Sequence, residues 1–256
     1  MNQTGKYIAS KSNLLSIYMT CGYPELNNTS ETILALQHAG ADLIEVGIPY
    51  SDPLADGPVI QASSKEALDN GFSVDGLFKD LHSIKTRINI PLVPMGYFNT
   101  VLKYGIERFL DQCVSLNIDT VILPDLPLDL YEKNYAQVFR SKGVHPVFLI
   151  SPKTPDERIR KIDTLTDAFI YIVADNSITG AKGDMSDAQI AYFQRIANMN
   201  LKNPTLIGFG IADNKSFTNA CKHANGAIIG SAFIKAIGEK GRIDEKVHQF
   251  VSGIRG

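Results

Sequence analysis

The chain has 256 residues, of which 44% are hydrophobic and 20% charged, and its 25 basic and 27 acidic residues leave a net charge of -2. This balance is typical of a globular protein and argues against both a nucleic-acid-binding groove and a polybasic membrane anchor. Residues 1–12 lack the apolar core of a signal peptide and no window is apolar enough to span a membrane, so we expect a cytoplasmic protein that binds neither nucleic acid nor membrane.

Short apolar runs alternate along the chain with longer segments of helical period. The predicted strands cover residues 15–20, 43–47, 92–96, 120–123, 144–150, 169–173, 205–209 and 227–229. The predicted helices cover residues 29–39, 73–85, 106–116, 130–142, 155–161, 187–197, 214–221 and 232–237. Eight such units predict a single α/β domain over residues 1–256, a (β/α)8 TIM barrel, with residues 82–90 and 243–256 as surface elements.

The loops that follow the predicted strands are rich in Gly, Pro and polar residues, whereas the loops that lead into the strands are brief. The clearest examples are the Pro/Gly loop after the second strand and residues 174–183 after the sixth. Because long loops at one end of a barrel usually hold its chemistry, we expect the active site at the carboxyl ends of the strands.

Glycines at the ends of three successive strands predict a phosphate site. They lie in Gly208-Phe209-Gly210 after strand seven, in Gly230-Ser231 after strand eight, and at Gly180 after strand six. In barrels a phosphate often lies between the last two of these loops, on backbone N–H groups at a helix N-terminus that glycine lets the ligand approach. One glycine alone could equally serve a tight turn, but three together favour a phosphorylated ligand.

A carboxylate within an apolar strand needs either a partner or a use, and Glu45 is such a residue. Ile44 and Val46 share the opposite face of the strand, so an outward Glu45 would need a buried cation, whereas an inward one would reach the ligand cavity. Among apolar walls its pKa would be raised, and it could then donate and accept a proton near neutral pH. The alternative is an ion pair at the strand end.

Further candidates for the site lie on loops and at a strand end. Asp56 either serves the reaction or forms an Asx-turn, and Asp52 is more simply a residue that shapes the loop. Thr179 could hydrogen-bond a carboxylate on the facing loop, so that two loops close over a substrate. Tyr171 either fills the core or directs its hydroxyl at a ligand.

Cysteine and histidine are too scattered to predict a metal site. Cys21, Cys113 and Cys221 form no Cys-x-x-Cys pair, and none of the five histidines lies three or four residues from another His or Cys. We therefore expect a reduced compartment and a site that uses neither metal nor cofactor.

Together these motifs resemble those of the tryptophan synthase alpha subunit family. The matching segments, in the family's order, are residues 43–58 (LIEVGIPYSDPLADGP), 123–127 (LPDLP), 178–180 (ITG), 208–210 (GFG) and 230–231 (GS). The resemblance implies retro-aldol cleavage of indole-3-glycerol phosphate to indole and glyceraldehyde 3-phosphate. It also implies a tryptophan synthase beta chain as partner in an α2β2 tetramer, to which the indole passes.

The resemblance also assigns roles to residues. Glu45 matches the acid/base that protonates indole C3 and takes the proton from the substrate hydroxyl, and Asp56 matches the carboxylate that engages the indole N–H. The substrate-binding residues expected with them are Tyr18, Tyr97, Tyr171, Thr179, Gly180, Phe209, Gly210, Gly230 and Ser231. Where the family usually has Arg-Ser-Gly, this chain has Asp175-Asn176-Ser177, a departure that bears on how the loop closes and how partner binding is signalled to it, not on the chemistry.

Two functions of other kinds compete with this interpretation. A Schiff-base aldolase needs a desolvated lysine at a strand end, and Lys153, which lies on a loop, is the nearest candidate. A barrel without catalytic activity could instead bind and activate a partner enzyme. The presence of both Glu45 and Asp56 argues against the second alternative.

Overall fold

Eight parallel strands close into a barrel in the computed structural model, which describes residues 1–53, 56–174, 185–208 and 210–256. Each strand pairs with the next along the chain, and the first closes against the eighth. The strands are β1 (Leu14–Thr20), β2 (Leu43–Gly47), β3 (Leu92–Met95), β4 (Thr120–Ile122), β5 (His145–Ile150), β6 (Ile170–Val173), β7 (Thr205–Gly208) and β8 (Gly226–Ile229). The predicted (β/α)8 fold is confirmed.

Helices surround the barrel and connect its strands. They are α1 (Gln3–Ala9), α2 (Asn28–Ala39), α3 (Pro58–Asp69), α4 (Val74–Ile84), α5 (Phe98–Tyr104), α6 (Ile106–Ser115), α7 (Leu128–Leu130), α8 (Ala136–Lys142), α9 (Asp156–Leu165), α10 (Asp187–Asn198), α11 (Asn214–Cys221), α12 (Ser231–Gly238) and α13 (Ile243–Arg255). A π-helical turn, Tyr131–Tyr135, joins α7 to α8. No described helix is both long and apolar enough to cross a membrane.

The core has two layers because successive side chains of a strand point to opposite faces. Leu43 belongs to the cluster that fills the inside of the barrel, together with Val93 and Leu206. Ile44 and Val46 belong to the larger cluster between the barrel and its helices. The register of β2 therefore turns residue 45 toward the inside of the barrel.

Helices α3 and α13 are among those that lie where no helix was predicted. Pro58 occupies the first turn of α3, where its fixed φ and missing N–H are tolerated, so the helix begins within the segment predicted as loop. The prediction that residues 243–256 form only a surface element is wrong for α13. Its residues Ile243, Val247 and Val251 recur every four positions and are buried, since they pack against α2 and α12.

Candidate active site

A cavity of about 820 Å³ lies at the carboxyl ends of the strands. Its walls come from β1, β2, β3, β6 and β8, from the loops after β2 and β7, and from α3, α12 and α13. The lining residues are Tyr18, Glu45, Asp56, Gly57, Pro58, Ile60, Met95, Tyr171, Gly210, Ile211, Ala212, Ile228, Gly230, Ser231, Ala232, Lys235 and Phe250. Seven of the residues predicted from the sequence are among them, contributed by segments far apart along the chain.

Glu45 is fully buried, at the wall of this cavity. It lies in register between Tyr18 of β1 and Val93 of β3, and neither of its carboxyl oxygens has a hydrogen-bond partner among the described residues. The same residues provide no cation within ion-pair distance of it, so the structure gives no support to a strand-end ion pair. An unpartnered buried carboxyl group at a cavity wall is instead available to a ligand.

Burial raises the pKa of the Glu45 carboxyl group to about 8. The cause is desolvation, which penalises the charged form of an acid. At neutral pH the group therefore holds its proton and can donate it, and the resulting carboxylate is basic enough to take a proton back.

Asp56 lies half-buried on the loop between β2 and α3, at the wall of the same cavity. The Tyr97 hydroxyl donates a hydrogen bond to Oδ2 of Asp56 over 3.2 Å, and the Tyr97 ring stacks on Tyr50 with centroids 4.9 Å apart. Burial raises the pKa of Asp56, and the hydrogen bond from Tyr97 opposes that rise. Tyr97 is thus placed behind Asp56 and orients it, and the described cavity wall does not include it.

The side chains of Tyr18 and Tyr171 each pack on a glycine at the end of the neighbouring strand, Gly47 of β2 and Gly208 of β7. A Cβ atom at Gly47 would collide with the Tyr18 hydroxyl, and one at Gly208 would collide with the Tyr171 hydroxyl. Burial raises the pKa of both tyrosines, and the nearby Glu45 and Asp56 add to the rise for Tyr171. Both hydroxyls therefore remain protonated beside the two carboxyl groups.

One end of the cavity is formed by residues that follow β7 and β8. Gly210 has a φ of 76°, a left-handed conformation that favours glycine. Gly230 is the N-cap of α12, and glycine has no side chain that could accept a hydrogen bond from the first N–H groups of the helix. These N–H groups, from Ser231 onward, therefore lack a side-chain cap. Free N–H groups and the positive end of the helix dipole make this end suitable for an anion such as phosphate.

The sequence model of the protein family described as "Tryptophan synthase alpha chain" matches residues 6–253 of this chain. The chain belongs to this family. Its members are lyases that cleave indole-3-glycerol phosphate. The family identified from sequence motifs is thereby confirmed.

Individual relatives agree with the family over the full length. The chain is 49% identical over 255 residues to the tryptophan synthase alpha chain of Flavobacterium johnsoniae, with 100% of both chains covered. It is 47% identical to that of Flavobacterium psychrophilum, with 99% of this chain and 100% of the relative covered. Among solved structures, a chain of the tryptophan synthase a2b2 complex from Pyrococcus furiosus superposes with a TM-score of 0.88 at 34% identity, covering 96% of this chain and 98% of that one.

Part of the family's motif set lies outside the described residues. This holds for Thr179, Gly180 and Phe209, and for the departure from the family at residues 175–177. Their predicted roles therefore stay predictions.

Lys153, the lysine proposed for the alternative Schiff-base aldolase, does not lie at the cavity. Lys153 is exposed, in the loop between β5 and α9, and is not part of the described cavity wall. A nucleophilic lysine needs a desolvated pocket, which an exposed side chain lacks. In the described part of the chain, no three His, Cys, Asp or Glu side chains cluster so as to hold a metal ion.

Sequence reasoning missed several residues of the wall. Ile60, Met95, Ile211 and Phe250 form its apolar part, and only contact in space relates them to the family motifs. Lys235 is different, because it follows Ser231 by four residues and helical spacing places both on one face of α12. This spacing could have identified Lys235 from the sequence.

The raised pKa of Glu45 predicts a stability that depends on pH. The unfolded chain has the ordinary carboxyl pKa of 4.5, so between about pH 4.5 and about pH 8 the folded protein binds the extra proton and loses stability as pH rises. Glu45→Gln removes this titration. The free energy of unfolding of the variant minus that of the wild type should therefore grow by a few kcal/mol as the pH rises from about 5 to about 9, since one pKa unit is worth about 1.4 kcal/mol. Urea unfolding of both proteins at about pH 5 and about pH 9 measures the difference.

The control for this titration is Glu66→Gln, which alters an exposed glutamate of α3. Its difference from the wild type should be the same at both pH values. A constant difference for Glu45→Gln as well would show that the buried carboxyl group titrates as in the unfolded chain.

Proposed function

We propose that Glu45 and Asp56 carry out the cleavage of indole-3-glycerol phosphate in this chain. The observation that supports this most is the fully buried Glu45 carboxyl group, unpartnered among the described residues, at the wall of a cavity that also includes the N-terminal residues of α12. A carboxyl group held neutral and an anion site in the same cavity fit a substrate that needs proton transfer at its ring and carries a phosphate.

The reaction breaks the bond between indole C3 and the carbon that bears the substrate hydroxyl. Glu45, protonated before the reaction, gives its proton to C3, and the ring becomes an indolenine cation. The Glu45 carboxylate then takes the hydroxyl proton, the carbonyl forms, and the electrons of the broken bond neutralise the ring. Indole and glyceraldehyde 3-phosphate result, with Glu45 returned to its starting state. One carboxyl group can make both transfers because C3 and the hydroxyl-bearing carbon are bonded neighbours.

Asp56 stabilises the cation that forms between the two proton transfers. Positive charge develops at the indole nitrogen once C3 is protonated, and a carboxylate that accepts the indole N–H opposes that charge. The hydrogen bond from Tyr97 holds Asp56 in place before the charge appears, so no reorganisation is needed during the step.

The remaining predicted residues are assigned to binding. Tyr18 and Tyr171 flank the ring beside Glu45, while Gly210, Gly230 and Ser231 hold the phosphate. For Thr179, Gly180 and Phe209 the support is the family motif alone. The whole chain acts as one domain, residues 1–256, and needs no metal or cofactor for this chemistry.

This chain works with a tryptophan synthase beta chain in an α2β2 tetramer and passes indole to it, in the cytoplasm. The support is the family match and the full-length similarity to a chain of the Pyrococcus furiosus a2b2 complex. We propose no contact with nucleic acid or membrane.

The test is indole release from indole-3-glycerol phosphate by the purified chain, with and without a beta chain. We expect slow release by the chain alone and faster release with the partner. Equal rates in both would contradict the coupling. No release in either would contradict the lyase activity and favour a barrel that only binds a partner.

A further inference from the structure

Lys235 is the one basic side chain in the described part of the cavity wall. The other ionisable groups there are the carboxyl groups of Glu45 and Asp56 and the hydroxyls of Tyr18 and Tyr171. A phosphorylated substrate would bring further negative charge into this cavity. Lys235 is therefore the described side chain of the wall whose positive charge could offset the charge of the phosphate.

The position of Lys235 in α12 directs it toward the phosphate end. It follows Ser231 by four residues, and both residues line the cavity. Side chains of an α-helix tilt toward its N-terminus, so a residue four positions on covers the turn before it. The long lysine side chain can thus extend back along α12 toward its first N–H groups.

A structural role at the end of α12 does not account for Lys235. A basic residue in the last turn of a helix can stabilise the carbonyl groups there. In this chain Lys246 of α13 already does so, since its ammonium donates hydrogen bonds to the carbonyl oxygens of Ile237, at 2.5 Å, and Glu239, at 2.8 Å. The ammonium of Lys235 makes no hydrogen bond or ion pair among the described residues, and the side chain is exposed.

We propose that Lys235 is a specificity-determining residue that binds the phosphate group of the substrate from the cavity rim. This inference rests on the proposed function. A phosphate monoester carries a charge of about -2 at neutral pH, whereas the end of a helix supplies only about half a positive charge. The ammonium of Lys235 supplies a full charge on the same face, so it favours phosphorylated over unphosphorylated ligands.

The experiment compares Lys235→Met with the wild type in indole release from indole-3-glycerol phosphate with the beta chain present. Because the lysine is exposed, we expect KM to rise roughly threefold to tenfold, with kcat within about twofold. The inhibition constant of glyceraldehyde 3-phosphate should rise by the same factor. Lys235→Arg should restore most of the loss, and indole, which has no phosphate, should bind equally to all variants.

The matched control is Lys240→Met, which removes an exposed lysine just beyond α12 and outside the described cavity wall. It should leave KM unchanged. The inference is overturned if Lys235→Met matches this control, or if it lowers kcat or thermal stability without raising KM. No indole release by the wild type would overturn the proposed function instead, so the two failures are distinguishable.

Discussion

Replacing Glu45 by glutamine is expected to lower kcat for indole release roughly 10²- to 10⁴-fold, toward the upper end of the range for a general acid or base, because one residue performs both transfers. Glutamine keeps the size and polarity of the side chain but neither gives nor takes a proton. The buried position also favours a neutral group, so the variant should fold at least as well as the wild type.

The measurement is steady-state release of indole and of glyceraldehyde 3-phosphate with saturating beta chain. Binding of glyceraldehyde 3-phosphate reports the anion end of the cavity and should be unchanged in Glu45→Gln. Glu66→Gln, at an exposed position of α3, is the control for the loss of one carboxylate. A Glu45→Gln variant that turns over at the wild-type rate would exclude Glu45 from both proton transfers.

The inward direction of Glu45 illustrates what sequence can and cannot predict for this fold. Ile44 and Val46 predict that residue 45 faces away from the layer they fill, and the period of two along a strand makes this reliable once the strand is identified. The pattern does not say which layer lies inside the barrel, because in a parallel barrel both faces of a strand are buried. The side on which the helices pack settles that, because Ile44 and Val46 share a cluster with helix residues whereas Leu43 belongs to the cluster inside the barrel.

The phosphate end was predictable because its residues follow the strands directly. Gly210 and Gly230 follow buried strands within two residues, and in a barrel all strand ends of this kind meet at one rim. The apolar walls were not predictable in the same way. Phe250 reaches the cavity from α13, which packs over α12 after the last strand. Nothing in its local sequence distinguishes it from a residue of an ordinary amphipathic helix.

The hydrogen bond from Tyr97 to Asp56 could not be predicted from the sequence either. The resemblance assigns Tyr97 to the indole pocket, and the structure adds that its hydroxyl donates to the Asp56 carboxylate and that its ring stacks on Tyr50. These residues belong to the loops after β2 and β3, which neighbouring strands bring together. Contacts between loops depend on their backbone course, and neither periodicity nor strand-end position specifies that course.

Replacing Asp56 by asparagine is the second change with a large expected effect. Asparagine still accepts a hydrogen bond from Tyr97, so the loop should keep its course, but the charge that opposes the indolenine cation is lost. Removing one preorganised electrostatic partner of a transition state typically costs about 10²- to 10³-fold in kcat, and we expect a loss in this range with KM little changed.

Asp52→Asn is the matched control, because Asp52 lies on the same loop, exposed, with its carboxylate accepting a hydrogen bond from the Ser51 hydroxyl at 2.6 Å. Steady-state indole release should be nearly normal in this control and strongly reduced in Asp56→Asn. The backbone of Asp56 is itself part of the turn, since its N–H donates to the Pro53 carbonyl oxygen at 3.1 Å and its own carbonyl accepts from Gln61. These bonds do not involve the carboxylate, so a residue that only shaped the turn would tolerate asparagine. A normal kcat in Asp56→Asn would therefore show that Asp56 only shapes the turn and that its carboxylate does not stabilise the indolenine cation.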